Sequence, residues 1–373
     1  MIKTSKEDCC GCEACRQICP QQCITMSTDE KGFLYPIADL SNCINCNMCN
    51  NVCPSINTNN TIHSKTSYAA INKNENIRTQ STSGGIFSTI AEHVLSNGGI
   101  VFGARFNDEF DVIHDWTDNI EKYGSFRGSK YLQSSIGRCY TLAKKIIEEN
   151  HLVLFTGTPC QIEGLKRFLN KDYENLITID IVCHGVTSSL VWQEYLHSKC
   201  KSNPTHVNFR SKSTGWKDYS IEIKGKRNYK SRANNDDFMH CYKSNLFLRP
   251  SCYKCPSKFH GVSDITLGDY WGIDKVSNLD DDKGTSLIIT NTITGEKIID
   301  NIRSKIIITK TDLDTAIQYN PSIKLSSAKH KLSDSFWSDF YNSGHKAIKK
   351  YGHILRPPFI TRLKILIYNL IYK

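Results

Sequence analysis

No stretch of about 18 consecutive apolar residues occurs in this chain, which predicts no membrane-spanning helix. The opening residues, MIKTSKEDCC, lack the apolar core of a secretory signal, so the expectation is a cytoplasmic protein in a reducing compartment. Low-complexity segments are missing, and so is the C-x3-C-x2-C run of radical S-adenosylmethionine enzymes. Acidic residues disappear from Tyr341 onward while Lys346, Lys349, Lys350, Arg356, Arg362, Lys364 and Lys373 remain, so this tail supplies +7 of the net +10. The first 57 residues are slightly acidic, with four basic side chains against six acidic ones. A basic excess confined to one terminal segment argues against nucleic-acid binding.

What is present in quantity is cysteine: 17 in 373 residues, ten of them before residue 54. In a secreted domain they would suggest disulfides; clustered in a reducing compartment they point to metal. The chain is too long for one compact core and divides into parts. Residues 1–57 form a cysteine-rich module, followed by the polar linker Asn57-Thr58-Asn59-Asn60-Thr61. Residues 66–340 read as an α/β (α+β mixed) domain, and 341–373 as a basic helical tail.

The module repeats one motif: Cys9-x-x-Cys12-x-x-Cys15-x-x-x-Cys19-Pro20, then Cys43-x-x-Cys46-x-x-Cys49-x-x-x-Cys53-Pro54. Three thiolates at two-residue gaps let one tight loop wrap three corners of a cubane, and the fourth, before the proline, reaches the other cluster. This assigns one [4Fe–4S] cluster to Cys9, Cys12, Cys15 and Cys53 and a second to Cys43, Cys46, Cys49 and Cys19. The segment Ile24 to Leu40, with its turn signal Asp29-Glu30-Lys31-Gly32, is expected to be a hairpin. Zinc is the alternative, but zinc modules use paired C-x2-C units. The module resembles bacterial two-cluster ferredoxins over its whole length. Cys10 and Cys23 are left over and read as bystanders. A two-cluster wire implies a donor at one end and an acceptor at the other.

In the middle part, Ile86, Phe87, Ile90, Ala91, Val94 and Leu95 follow helical spacing that Asn97-Gly98-Gly99 stops, and Ile100-Val101-Phe102 reads as a strand. Leu152 to Phe155 is a buried-strand run, broken at Thr156-Gly157-Thr158-Pro159, followed by a helix from Gln161 to Leu169 and a strand from Ile177 to Val182. That is a βαβ unit, so the two strands should be parallel neighbours. Cys160 and Cys183 then share the carboxyl edge of the sheet, where α/β proteins build sites. Cys252-x-x-Cys255-Pro256 is a separate chelating loop, and the four thiolates together suffice for a further cluster. Each signal alone has an ordinary alternative: a lone cysteine is usually a small hydrophobe, and a lone C-x-x-C can be half a zinc site or a redox pair. Cys139, Cys200 and Cys241 read as structural.

Five segments occur in order: Ser81-Thr82-Ser83-Gly84-Gly85, Gly128-Ser129-Lys130-Tyr131-Leu132-Gln133-Ser134, Gly157-Thr158-Pro159-Cys160-Gln161, Asp180-Ile181-Val182-Cys183-His184-Gly185, and Asp264-Ile265-Thr266-Leu267-Gly268-Asp269-Tyr270-Trp271-Gly272. Together they resemble the coenzyme F420 hydrogenase/dehydrogenase beta-subunit family over roughly residues 66–340, a family in which the fused ferredoxin module also occurs. The resemblance implies FAD and a third [4Fe–4S] cluster on Cys160, Cys183, Cys252 and Cys255. It places flavin contacts at Ser83, Gly84, Gly85, Lys130, Tyr131, Gln133, Ser134, Gly157, Thr158 and Pro159. Independently, Ser83-Gly84-Gly85 precedes a helix start, where free N–H groups cradle phosphate; the alternative is an ordinary cap by Ser83. Lys130 is the candidate catalytic residue, since a lysine at the flavin N1–C2=O edge stabilises the reduced anion; its alternative is a solvated lysine. Asp269 and Trp271 are candidates for the pocket lining, with a structural turn the alternative for Asp269.

The implied activity is an FAD- and iron–sulfur-dependent oxidoreductase joining a two-electron substrate, F420-like or another small molecule, to a one-electron carrier such as ferredoxin or another oxidoreductase subunit. The alternatives are a relay subunit without its own substrate site, a bacterial reductase associated with polysaccharide biosynthesis, and a zinc-binding scaffold. The basic stretch Lys224, Lys226, Arg227, Lys230 and Arg232 reads as a solvated loop. Ile360, Leu363, Ile367, Leu370 and Ile371 share a helical face, for which packing on the body or another subunit is preferred over membrane contact.

Overall fold

The computed structural model describes residues 2–57, 65–200, 204–258 and 261–357. Strands β1 (Ile24–Thr28) and β2 (Leu34–Ala38) pair antiparallel, so the hairpin between the cysteine motifs forms, with Gly32 at φ +80° in its turn. Short helices, Ala14–Ile18 and Met48–Asn51, carry the ends of the two motifs.

The body is a mixed sheet. Its strands are β3 (Thr66–Asn72), β4 (Ile100–Phe106), β5 (Val112–Thr117), β6 (Val153–Gly157), β7 (Leu176–Ile181), then β11 (Ile265–Asp269), β12 (Ser286–Thr290) and β13 (Ile306–Thr311), after a separate antiparallel sheet of β8 (His206–Ser211), β9 (Ser220–Lys224) and β10 (Tyr229–Arg232). Among the described residues the larger sheet runs β13-β3-β12-β11-β7-β6-β4-β5. The four central strands, β4, β6, β7 and β11, are parallel, as both-faces-buried runs such as Val153-Leu154-Phe155 require. The parallel β6 and β7 are joined by the helix Pro159–Leu169, which starts at a capping box of Thr158 and Gln161.

One sheet face is covered by the helices Ile86–Ser96 and Ile293–Ile302. The other is covered by Cys139–Glu148 and Pro159–Leu169, and there Cys12, Ala14 and Val52 of the cysteine module complete the core. Phe33 and Tyr35 of the hairpin enter a further core built on the smaller sheet and the helices Ser189–Cys200, Asp237–Lys243, Ser333–Ser343 and His345–Ile354.

The boundary at residue 341 falls inside the helix Ser333–Ser343, and the described part of the tail is helical and packs on the body through Ala347, Ile348 and Tyr351. The basic stretch is exposed on a hairpin, with Lys226 and Arg227 in its connecting turn and Lys230 and Arg232 paired to Glu222 and Asp218 at 3.1 and 3.0 Å. The apolar face from Ile360 to Ile371 lies outside the described residues. Among the described residues no helix is long and apolar enough to cross a membrane.

Candidate functional site: three thiol sets and a cationic cleft

Each cysteine loop owes its shape to a pair of left-handed residues around its central cysteine. Gly11 (φ +69°) and Glu13 (φ +61°) flank Cys12, and Asn45 (φ +53°) and Asn47 (φ +64°) flank Cys46. Glycine and asparagine tolerate this backbone best, and it coils the thiols of one loop to one side. Cys43, Cys46 and Cys49 line one cavity together with Cys19 from the other motif. In the first loop Cys15 lies within electrostatic reach of Cys9 and Cys53, and Thr4 Oγ1 is 2.9 Å from Cys53 Sγ. Cys23, read as a bystander, is buried against the second set, its sulfur 3.4 Å from that of Cys19.

Cys160 sits in the first turn after β6, Cys183 two residues past β7, and Cys252 and Cys255 in and just after the turn Pro250–Lys254. All four line one cavity at the carboxyl edge of the sheet. Gly185 permits this closure: a Cβ there would meet Leu248 Cδ1 at 2.8 Å and Cys252 Cβ at 3.3 Å. The cavity holds a fifth thiol. Cys10 of the module also lines it. Burial pushes the thiols of Cys252 and Cys255 up to about 12 and about 11. Among the described residues no three His, Cys, Asp or Glu donors converge closely enough for a single metal ion. A cubane takes its thiolates on separate irons, at wider spacing than the single ion of a zinc site.

Beside this cavity lies a cleft of about 470 Å³, within the range of cofactor and ligand sites. Ser83, Gly85, Lys130, Tyr131, Ser134, Gly157 and Thr158 line it, as do Asp269 and Trp271. Three expected contacts lie elsewhere. The Gly84 N–H donates to Ser286 Oγ at 2.9 Å, and a Cβ there would strike the Ala70 carbonyl at 2.3 Å, so its smallness serves packing. Pro159 lines the thiol cavity. Gln133 also lines that cavity and donates to the Gly11 carbonyl at 3.2 Å. The cap of the Ile86–Ser96 helix is Gly85 (φ +87°), not Ser83, whose hydroxyl donates to Thr285 O at 2.7 Å.

Lys130 is not a solvated lysine. Its ammonium donates to the carbonyls of Phe126, Arg127 and Gly128 at 3.3, 2.8 and 3.3 Å, and burial brings it down to about 7. Sequence reasoning missed His114, Arg210 and Lys243, which also line the cleft. Burial lowers His114 to about 4; its Nε2 meets the Thr156 carbonyl at 2.9 Å, and Nδ1 has no partner. Burial likewise lowers Lys243, to about 8. Arg210 is 5% exposed, lies 3.9 Å over the Tyr219 ring, and pairs through Nη1 with Asp269 at 2.8 Å, while its Nε and Nη2 have no partner. A buried guanidinium at the wall of a cleft, with two donors left unpartnered, is suited to an anionic ligand.

The module is held against the body by buried polar contacts. Arg249, fully buried, donates to Cys9 O at 2.6 Å, Gln133 Oε1 at 2.6 Å and Leu34 O at 2.9 Å. Glu13 accepts from Ile136 N at 2.7 Å and Ser135 Oγ at 3.0 Å, and Gln17 from Tyr140 N at 3.0 Å.

Residues 8–57 match the 4Fe-4S dicluster domain, and residues 150–316 match the family described as the C terminus of the coenzyme F420 hydrogenase/dehydrogenase beta subunit. No curated protein sequence matches the chain. Among solved structures, a chain of the F420-reducing [NiFe] hydrogenase complex from Methanosarcina barkeri superposes with a TM-score of 0.50 at 15% identity, over 70% of this chain and 89% of that one, a likeness of fold. This chain therefore joins a region that matches the 4Fe-4S dicluster domain to a region that matches the family described as the C terminus of the coenzyme F420 hydrogenase/dehydrogenase beta subunit.

Proposed function

We propose that the protein is an iron–sulfur flavoprotein oxidoreductase that passes electrons between a two-electron small molecule and a one-electron carrier, either ferredoxin or another oxidoreductase subunit. The observation that carries this reading is a shared wall: Thr158, Gln161, Cys183, His184, Gly185 and Val186 line both the cleft and the thiol cavity. A group in the cleft therefore lies directly beside the sheet-edge thiols.

The donor sets fit three [4Fe–4S] clusters, on Cys9, Cys12, Cys15 and Cys53, on Cys43, Cys46, Cys49 and Cys19, and on Cys160, Cys183, Cys252 and Cys255. The cleft fits FAD through its unpartnered buried donors, Arg210 Nε and Nη2 and Arg127 Nε, and the helix start after Gly85. Bound there, a flavin supplies the exchange between an electron pair and single electrons. Ser83 and Gly85 stand where the diphosphate would lie, with the first-turn N–H groups of the Ile86–Ser96 helix. Lys130 holds a positive charge or gives up a proton at Nζ near neutral pH, which suits both an anionic ring edge and general-acid duty. His114 stays neutral, a dipolar rather than a charged neighbour.

Arg127, Lys130, Arg210 and Lys243 make the cleft cationic, so the substrate class is an anionic two-electron carrier, F420-like or another small molecule. A relay subunit without its own substrate is the second reading. Ile37, Leu40, Ile44 and Met48 are exposed beside the second thiol set, which favours a protein partner there. Anaerobic purification with iron, sulfide, zinc and flavin analysis decides between them. About twelve irons and one FAD per chain support the oxidoreductase. About eight irons without flavin leave the relay, and zinc without iron overturns both.

A further inference from the structure

The turn Ser83-Gly84-Gly85 leads into the helix Ile86–Ser96, and hydrogen bonds to other segments set its shape. The Ser83 carbonyl accepts from Lys212 Nζ at 2.6 Å. At the other end of the same peptide unit the Gly84 N–H donates to Ser286 Oγ at 2.9 Å. The Gly84 carbonyl accepts from the Asn72 N–H of β3 at 2.7 Å. In a trans peptide the N–H points opposite to the carbonyl, so the Gly85 N–H is turned away from β3, and Gly85, Ile86 and Phe87 line the cleft. On a further side Thr82 Oγ1 accepts from the Ser129 N–H at 2.9 Å.

Lys212 follows directly on β8, the strand that carries Arg210, but it is not on the cleft wall. Its ammonium donates to three carbonyls, those of Arg78 at 2.8 Å, Ser83 at 2.6 Å and Lys283 at 2.6 Å. An ammonium has three N–H groups and no acceptor, so these bonds use all of them. Lys212 therefore keeps no donor for a ligand and reaches the cleft only through the turn. Gly284 makes room for it: the residue stands at φ +102°, and a Cβ there would fall 2.9 Å from both Lys212 Nζ and the Ser83 oxygen. Arg78, 1% exposed, ties down the same loop, donating to Gly284 O at 3.0 Å and pairing with Asp281 at 2.6 Å.

We infer that Lys212 is a positioning residue for the diphosphate of a bound dinucleotide: it holds the Ser83 carbonyl against the smaller sheet and so keeps the N–H groups of Gly85, Ile86 and Phe87 available to the cleft. This rests on the flavin reading above and adds to it the residue that shapes the turn. The first N–H groups of a helix have no acceptor within it, and diphosphate oxygens are suited to them. A peptide pinned at both ends needs no reordering when the ligand arrives, which is where preorganisation gains affinity. FAD and ADP share the diphosphate, so both depend on Lys212 to the same degree.

The test compares the full chain, prepared anaerobically and freed of flavin, with Lys212→Met and Lys212→Arg. Titrations read the affinities for FAD and ADP, and near-ultraviolet circular dichroism of the ligand-free protein reads its packing. Lys212→Met leaves three carbonyls without their donor, and the expected result is a loss of about 10–100-fold in affinity, equal for FAD and ADP, with parent-like dichroism. Lys212→Arg keeps the charge, but its flat fork does not converge on three carbonyls as an ammonium does, so it should fall between the two. An FAD affinity within about twofold of the parent in Lys212→Met overturns the inference, as does a loss for FAD that ADP does not share. If Lys212→Met does not fold, Lys212→Arg decides: a loss of about threefold or more, shared by both ligands, supports the inference, and any other pattern overturns it. If the unaltered protein binds neither FAD nor ADP, the flavin reading has failed before any variant is made, and the positioning role fails with it.

Discussion

Replacing Arg249 by leucine should release the module from the body. The guanidinium is fully buried and donates to three acceptors, Cys9 O, Leu34 O and Gln133 Oε1. A buried acceptor stripped of its partner costs about 1–3 kcal/mol, so three of them amount to roughly 3–9 kcal/mol. Removing a buried cation returns part of that, because its desolvation is relieved. The net expectation is a loss of roughly 3–5 kcal/mol, the lower part of that range. It should fall on the module first, because two of the three acceptors, Cys9 O and Leu34 O, belong to it. Cluster loss makes unfolding irreversible, so the assay is a rate: decay of cluster absorbance in denaturant under anaerobic conditions. A loss of about 3 kcal/mol expressed in opening raises that rate by about two powers of ten. Arg249→Lys keeps the charge and one donor direction and should fall between. If Arg249→Leu bleaches within a factor of about two of the parent protein, the junction is not held by this side chain and the reasoning fails.

Other outcomes follow from the cleft and the loops. Lys130 is charged below about 7 and neutral above, so FAD affinity should weaken by up to about tenfold per pH unit above that point. Lys130→Arg should remove the pH dependence, which FAD titrations at several pH values would show. Because this lysine's folded value lies below its ordinary 10.5, the unfolded chain binds the extra proton, and the lysine's contribution to stability rises with pH between about 7 and 10.5. Arg210→Met removes the two open donors and strands Asp269, and should weaken FAD binding by roughly 10–100-fold for each hydrogen bond to the ligand that disappears, read by the same titration. Gly11→Ala adds a Cβ at φ +69° against Gln133 and should cost roughly 1–3 kcal/mol, seen as faster bleaching in the same assay as Arg249→Leu.

The elements nearest the site are legible in the sequence because their signals are local. The β6 run, its break at Thr156-Gly157-Thr158-Pro159 and the capping pair Thr158 and Gln161 lie within a few residues of one another, and the expected parallel pair with β7 is present. The hairpin between the motifs follows from one turn. The residues that close the site are hidden because their partners are remote in sequence: Arg249 meets Cys9 across 240 positions, and Glu13 meets Ile136 across 123. Arg210 looks like any strand residue, since nothing in β8 announces that its guanidinium faces Asp269 on another sheet. Gln133 and Pro159 are expected at the cleft because their neighbours line it, but they lie on the thiol-cavity side of the shared wall. Cys10 escapes for the same reason, since its meaning depends on where the module docks.

That docking uses polar groups where apolar ones would have sufficed for adhesion. Cys12, Ala14, Val52, Phe33 and Tyr35 already give the module an apolar contribution to two cores. Apolar contact is tolerant of sliding, because its energy follows area rather than direction. Arg249, Glu13, Gln17 and Gln133 are directional, and each is costly if displaced from its partners. A shift of the module by one residue would leave several of them buried and unpaired. Their combined effect is to fix one register, the one in which Cys10 of the module lines the cavity of Cys160, Cys183, Cys252 and Cys255. Electron transfer between neighbouring sites falls steeply with separation, so a protein that carries electrons across this junction gains more from fixed register than from added adhesion. The polar contacts are therefore better understood as setting distance than as supplying stability, and the energetic cost of breaking Arg249 is the by-product of that precision.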